Sequence, residues 1–530
     1  SDVNLPFASI TVLNNLTLNA QALLGDASGN AGSLSFTGDQ HFGGNGTVVL
    51  GTSGYNLISS SGGGTLTIDR GLTIRGAAGR IQGAITNLGT IDADTPGDSF
   101  GLSVIGNNPG LINQGTMRAT NGGSLSVGGT WTNEAAGTIS ADASTLLLGG
   151  GNNPWNNLGT ISSANGSTVN LNSTFTLANL GNFQRSGGTV HLFGTLTNTG
   201  TTLALNAATG SWEMGTGGTI VGGDYSSADG ASLVISANSG TFNGVTLDGD
   251  LRVAGKNPAA VIKNGATLNG TIYLGDTAGH IGSLLYFGSQ TLGGTGSVVF
   301  VGASGNGIGP QLLSTSLTIG PGITIRGQSG SISGFGVGST TIINQGTIAA
   351  DVAGGTITLY SADLTNQGVL SAAGGGTLNV YNGLVLPMTG TITAGAGGTV
   401  AINGNLTLTS TSIINVELAG KTSDQFGRLT VSGATALDGT MNISLVNGYQ
   451  PALGDAFKVM TYGSEAGQFA TINGAGIPNN LALAAAYNTT DLTLTAGPAV
   501  MGAAAFKSTA GSNAALLDQV FAELALEELD

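Results

Sequence analysis

A glycine recurs every twenty-two residues along much of this chain, each time inside a phrase close to Asn-x-Gly-Thr-Ile. The first run comprises Asn87-Leu88-Gly89-Thr90-Ile91, Asn113-Gln114-Gly115-Thr116-Met117, Gly137-Thr138-Ile139, Asn157-Leu158-Gly159-Thr160-Ile161 and Asn179-Leu180-Gly181-Asn182-Phe183. A second run places glycines at Gly346, Gly368 and Gly390. The steps are 26, 22, 22 and 22 in the first run and 22 and 22 in the second (for example 159 − 137 = 22). A fixed period of this size is the signature of a stacked repeat, in which each unit buries its apolar face against its neighbours.

Within one period the residues divide into three strand-like phrases separated by glycine-rich corners. The first is Gly-Thr-Ile, as in Gly89 to Asp94 and Gly137 to Asp142. The second is Gly-Thr-Leu-x-Leu in outline, as in Gly123 to Val127, Gly188 to Leu192, Gly355 to Leu359 and Gly376 to Val380. The third leads into the next Asn, as in Trp131-Thr132-Asn133 and Leu364-Thr365-Asn366. Apolar residues alternate with Thr, Ser or Asn throughout, the period-two pattern of a half-buried strand, and helical spacing is missing from the repeats. Three strands per turn of about 22 residues predict an all-β chain folded as a right-handed parallel β-helix. At the usual strand spacing roughly 18 to 20 coils would give a rod on the order of 90 Å long.

This architecture predicts particular columns. Ile91, Met117, Ile139, Ile161 and Phe183 should stack inward, as should Leu125, Leu146, Val169 and Val190. The recurring Asn should bond its counterparts in adjacent coils. The glycines should serve corners that need positive φ or a close backbone approach. A longer repeat lies over the first: Leu24-Gly25-Asp26 through Gly46-Thr47-Val48 returns as Leu274-Gly275-Asp276 through Gly296-Ser297-Val298, offset by 250 residues (296 − 46 = 250). The predicted organisation is a first β-helix block at 1–240 and a duplicated block at 241–410. Near Thr411 the spacing lengthens and aromatics increase, which predicts a β-rich closing module at 411–497. An alanine-rich link and a short acidic amphipathic helix complete the chain at 498–530, with Leu516, Val520 and Leu524 beside Leu517 and Phe521 on one face.

The composition bears on function mainly by exclusion. Glycine supplies 94 of 530 residues and charged residues only 8%, yet apolar residues reach 40% and the mean hydropathy is +0.25, enough to build a core. The net charge is −15 and the 13 basic residues are scattered, so nucleic acid is not an expected partner. There is no cysteine, hence no disulfide or thiolate metal site. No stretch of about 18 apolar residues is present, so no membrane insertion is expected. The opening Ser1-Asp2 has no leader-like pattern, which fits either a removed signal peptide or a piece of something longer.

The residues that could carry catalysis or metal binding all have plainer roles in this pattern. Asp92 and Asp94 share a strand and Asp142 could align with Asp94, but the paired carboxylates of a polysaccharide hydrolase are not evident. His41, His191 and His280 show no acid or nucleophile partner in the sequence and are read as ordinary structural or surface residues. Gly43-Gly44-Asn45-Gly46 and Gly293-Gly294-Thr295-Gly296 begin like a calcium-binding nonapeptide, but Val48 and Val298 stand where it needs Asp. Asp26 and Asp276 read as corner residues. No catalytic site, cofactor or metal is expected.

The phrases Leu292 to Val299, Ile323 to Gly327, Ile343-Asn344-Gln345-Gly346-Thr347-Ile348 and Asn366-Gln367-Gly368 resemble bacterial secreted β-helix surface proteins of the autotransporter-passenger and large-adhesin type. Leu437-Asp438-Gly439-Thr440 through Gly454-Asp455 and Leu492-Thr493-Leu494 look like the module that often closes such repeats. The resemblance covers roughly residues 10 to 495 and lacks the membrane β-barrel. It implies an extracellular or cell-surface location. The expected function is a non-enzymatic structural protein that self-associates end to end into a filament, sheath or matrix layer. The proposed joints are the N-terminal strand region with Leu5, Phe7, Ile10 and Leu16, and the C-terminal module with Leu516, Val520, Phe521 and Leu524. The alternatives are an adhesin binding cell-surface glycans and, third, a polysaccharide-active enzyme.

Overall fold

The computed structural model describes residues 9–96, 101–151, 153–302, 304–312, 314–334, 340–361, 363–382 and 386–499. It is all-β, built of stacked parallel coils of a β-solenoid, about 18 turns at roughly 23-residue spacing. The chain forms two units. One comprises residues 1–349 with 356–368, and the other comprises 350–355 with 369–530.

In the first unit the stacking follows the glycine period. Ile91, Met117, Ile139, Ile161 and Phe183 are partners in consecutive coils, and the first four are fully buried. Leu125, Leu146, Val169 and Val190 form the second predicted column, also buried. A third column runs through Leu111, Trp131 and Trp155, whose indoles stack at 4.9 Å and 11°, and continues onto the Phe175 ring at 5.2 Å. Aromatic stacking of this kind adds about 0.5–1.5 kcal/mol per pair beyond area burial.

The Asn of each phrase forms a buried ladder. Asn87 Nδ2 donates to Asn113 Oδ1 at 2.8 Å, Asn113 to Asn133 at 2.6 Å, and Asn133 to Asn157 at 2.7 Å. Each also reaches the carbonyl of its own following glycine, Gly89, Gly115 or Gly137. Asn344 and Asn366 repeat the contact at 2.7 Å. The amide thus satisfies the corner backbone where the chain turns inside the core.

At Gly89, Gly115, Gly137 and Gly159 the choice left open between positive φ and close approach is resolved. None of them lies in the positive-φ region, and an added Cβ would strike main-chain atoms of a neighbouring coil. Positive φ belongs instead to the other corner, where Asn165 and Gly166 adopt 51° and 77° in succession.

Asn179 does not join the ladder, contrary to the repeat pattern. A single helical turn, α1 (Leu177–Leu180), replaces strand there, with Thr176 as N-cap and a capping box closed by Asn179. The Asn179 side chain accepts from the Thr176 amide at 2.9 Å, so Asn157 donates to the Leu180 carbonyl instead.

The 250-residue duplication is preserved down to single hydrogen bonds. Asn56 Oδ1 accepts from the Gly32 amide and Asn306 Oδ1 from the Gly282 amide (306 − 56 = 250). Gln40 Nε2 bonds the Leu13 and Thr37 carbonyls, and Gln290 Nε2 bonds those of Ile262 and Phe287.

In the second unit Leu370, Ile392, Ile414, Met441 and Ile472 form one continuous parallel column. Parallel stacking therefore runs past Thr411 as far as Asn473. The lengthened spacing comes from corners: Thr391 pairs with Ile413 and Ile413 with Thr440, a step of 22 followed by one of 27 (440 − 413 = 27). Beyond this point whole strands run antiparallel, whereas earlier reversals are single bridges such as Leu418 with Phe426. Asp491–Pro498 runs antiparallel along Ala456–Thr461, and Leu481–Tyr487 runs antiparallel to Asp491–Pro498. Tyr462 pins the reversal by donating to the Asn488 and Asp491 carbonyls at 2.9 and 2.8 Å, and Lys458 lies 3.1 Å from the Asp491 carboxylate.

Candidate functional site

The first described coil consists of β1 (Ser9–Val12), β2 (Leu16–Thr17) and β3 (Gln21–Leu24). Each strand stacks on its partner in the next coil: β4 (Ser33–Thr37), β5 (Gln40–Gly43) and β6 (Thr47–Leu50). Among the described residues nothing pairs with the other edges of β1, β2 and β3. Among the described residues three rows of backbone donors and acceptors thus have no strand partner, the feature that makes an edge strand a template for another chain.

The apolar interior opens at the same place. Ile10 sits above Leu34, Leu16 above Phe42 and Ala22 above Val48. Together with Leu18, Leu23 and Leu24 they surround an almost wholly apolar cavity of about 160 Å³. Its floor is closed by side chains that are buried, Phe42 and Val48 completely. Its rim is not, since Ile10 is 39% exposed. Of the expected joint residues, Ile10 and Leu16 line this cavity. Leu5, Phe7, Leu516, Val520, Phe521 and Leu524 lie outside the described residues.

The second unit has edges of its own. Ser464–Gly467 pairs with Ala434–Leu437, and Thr471–Asn473 with Thr440–Asn442. Neither has a pairing partner on its other edge among the described residues. The third strand of that coil, Ala456–Thr461, is occupied by the antiparallel return. Among the described residues the unpaired edge there is therefore two strands wide, whereas β1 to β3 offer three.

The histidines are not isolated as the sequence led us to expect, because each has an acidic neighbour. His41 Nδ1 lies 3.0 Å from Asp69, His191 Nδ1 3.6 Å from Glu213, and His280 Nδ1 2.6 Å from Asp276. The second pair was legible, since Glu213 lies 22 residues, one coil, after His191 and faces it in register. Glu213 also accepts from the Ser236 hydroxyl, so it stands between the histidine and the serine. His280 occupies the place of Asn30 in the duplicated block, and Asn30 Nδ2 makes the same contact with Asp26, also at 2.6 Å. Asp26 and Asp276 each accept two backbone amides of their own loop, which makes them corner residues. Hydrogen bonds from Asn30 and His280 hold the two carboxyls below the usual aspartate range.

The acids considered for catalysis are engaged by adjacent coils. Asp92, with a side chain only 7% exposed, takes Arg118 Nε at 2.6 Å and the Thr120 hydroxyl at 3.0 Å. Asp94 takes Arg75 Nε at 2.9 Å, and Asp142 takes Asn165 Nδ2 at 2.6 Å. Among the described residues no three acids or histidines converge as a metal ion would require. No described helix is long and apolar enough to cross a membrane.

No protein-family model matches the chain, and no curated protein matches it.

Proposed function

We propose that this chain is a non-enzymatic structural protein of the cell surface or extracellular matrix whose copies associate end to end. The observation that carries the reading is the first coil, where three unpaired strand edges surround an open apolar cavity with Ile10 and Leu16 at its rim. In water such an end exposes apolar surface and leaves its strand edges hydrogen-bonded to solvent alone, and a second copy would cover the first and pair the second. The parallel edges Ser464–Gly467 and Thr471–Asn473 offer the complementary surface: a strand from one copy laid beside β1 or β2 of the next continues the parallel pairing. Contact between two different edges is heterologous, so it propagates from copy to copy instead of pairing two copies symmetrically. The repeat phrases that resemble secreted β-helix surface proteins support the extracellular location.

Concentration-dependent light scattering of the purified chain tests the proposal. Wild type is expected to grow in mass with concentration, and the Ile10→Lys/Leu16→Lys double variant is expected to remain monomeric. A wild type that stays monomeric at high concentration would refute end-to-end association.

A further inference from the structure

One corner of the first unit is built differently from its neighbours. Between Gly106 and Leu111 the register with both adjacent coils breaks, and Asn107-Asn108-Pro109-Gly110 leaves the ladder where the neighbours need only Ala84 or Thr130. Two coils further on the chain again lengthens at the same corner. Gly149 to Pro154 spans six residues between Leu148 and Trp155, where the coil below spans Val127 to Trp131 with Gly128, Gly129 and Thr130. The intervening coil is thus recessed between two walls. The result is an open groove of about 640 Å³ with Asn107, Asn108 and Pro109 on one side, Gly150 and Asn153 on the other and Gly128 and Gly129 on its floor. Two strand spacings separate the walls, roughly 9–10 Å.

Two features of this groove are unexplained by folding. Gly129 needs its φ of 71° and has the Gly106 carbonyl against it, but Gly128 and Gly150 have neither constraint. Their φ values are not positive, nothing lies within 4 Å of a Cβ at Gly128, and the nearest atom to one at Gly150 is 3.9 Å away. A side chain would fit at either position and would fill the groove. The Asn107 and Asn108 side chains are exposed and form no hydrogen bond with other described residues, unlike the ladder asparagines.

We propose that this groove binds an uncharged oligosaccharide in extended form. No charged residue lines it, so an ionic ligand would gain no counter-charge. Asparagine amides both donate and accept, as sugar hydroxyls do, while Ile105 and Pro109 supply apolar surface for the ring faces. On the floor Gly128 and Gly129 pair with Ile105 and Gly106 along one edge and have no strand partner along the other among the described residues, so extended peptides are included in the test as the competing ligand. The volume falls in the range of ordinary ligand sites.

The test is titration of the full chain, by calorimetry and on an array, with neutral gluco-, manno-, galacto- and xylo-oligosaccharides, acidic oligosaccharides and extended uncharged peptides. At least one neutral series is expected to bind. Asn107→Ala/Asn108→Ala should weaken it about tenfold or more, as loss of several uncharged hydrogen bonds does, and Gly128→Trp should abolish it. Both variants should keep the wild-type circular dichroism and unfolding midpoint, since Asn107 and Asn108 are exposed and a Cβ at Gly128 meets no atom within 4 Å. Failure of every neutral series, equal binding by the acidic series or the peptides, or affinity unchanged in both variants would overturn the proposal. Repeating the titration in the Ile10→Lys/Leu16→Lys background, expected to be monomeric, keeps the result separable from end-to-end association.

Discussion

At the residue scale, the repeated glycine and the repeated asparagine do different work at the same corner. Gly137 lies where a Cβ would collide with Asn133 Oδ1 and the Asn113 carbonyl, while Gly166 has a φ of 77° and open space around it. Gly137→Ala therefore forces coils apart, whereas Gly166→Ala incurs only local backbone strain, about 1 kcal/mol. Chemical denaturation should show the first variant destabilised several times more than the second. Asn113→Leu should be costlier still. It removes a shared partner from Asn87 and Asn133 inside the core, at roughly 1–3 kcal/mol for each group left unsatisfied. An equal denaturation midpoint for Asn113→Leu and wild type would show the ladder to be energetically idle.

The corner built by Asp276 makes a pH prediction of its own. The His280 hydrogen bond, aided by the His280 and Ala278 amides, holds the Asp276 carboxyl below its ordinary value of 3.8. The unfolded chain then binds more protons near that pH than the folded one. The stabilisation is complete above about pH 3.8 and is lost as the pH falls through the lower folded value. Carboxyl titration by NMR should give a low midpoint for Asp276, raised toward 3.8 in His280→Ala and kept low in His280→Asn, the residue that does this at Asn30. An unchanged midpoint in His280→Ala would assign the shift to the backbone amides alone.

At the element scale, each strand is specified mainly by its partners one coil away. That is why alternation and period were enough to place the inward columns through Ile139 and Leu146 in correct register. A one-residue slip would have turned every inward side chain to solvent. Where a corner changes length the period no longer determines the neighbour, and the sequence becomes harder to read. The lengthened corners after Leu418 look like the end of the repeat at Thr411, although parallel pairing continues to Asn473. Likewise Asn179 carries the repeat phrase but sits in the capped turn α1, because the Thr176-x-x-Asn179 pairing competes locally with the ladder. Thr176→Ala removes that cap and should cost about 0.5–2 kcal/mol, with amide exchange rising first at Leu180 and Gly181.

At the scale of the whole molecule, a charge of −15 opposes association of identical copies. End-to-end growth should therefore be stronger at about 0.15 M salt than at 0.01 M, where the Debye length rises from about 8 to 30 Å. Light scattering at matched protein concentrations checks this, and growth that weakened with added salt would point to attraction between charged groups instead of apolar ends.

The sequence by itself determined the solenoid, its period, its inward columns, the Asn ladder and the 250-residue duplication. All of these rest on contacts between residues one repeat apart, and nearest-neighbour stacking writes that distance directly into the residue numbering. Tertiary structure alone decided the rest. It left the edges of β1 to β3 without a partner among the described residues, recessed Gly128 between two lengthened corners, gave His41 its acid partner and reversed the chain at Asp491. Each of these depends on how far an irregular corner displaces the chain and which way its side chains then face. Periodicity carries no information about either.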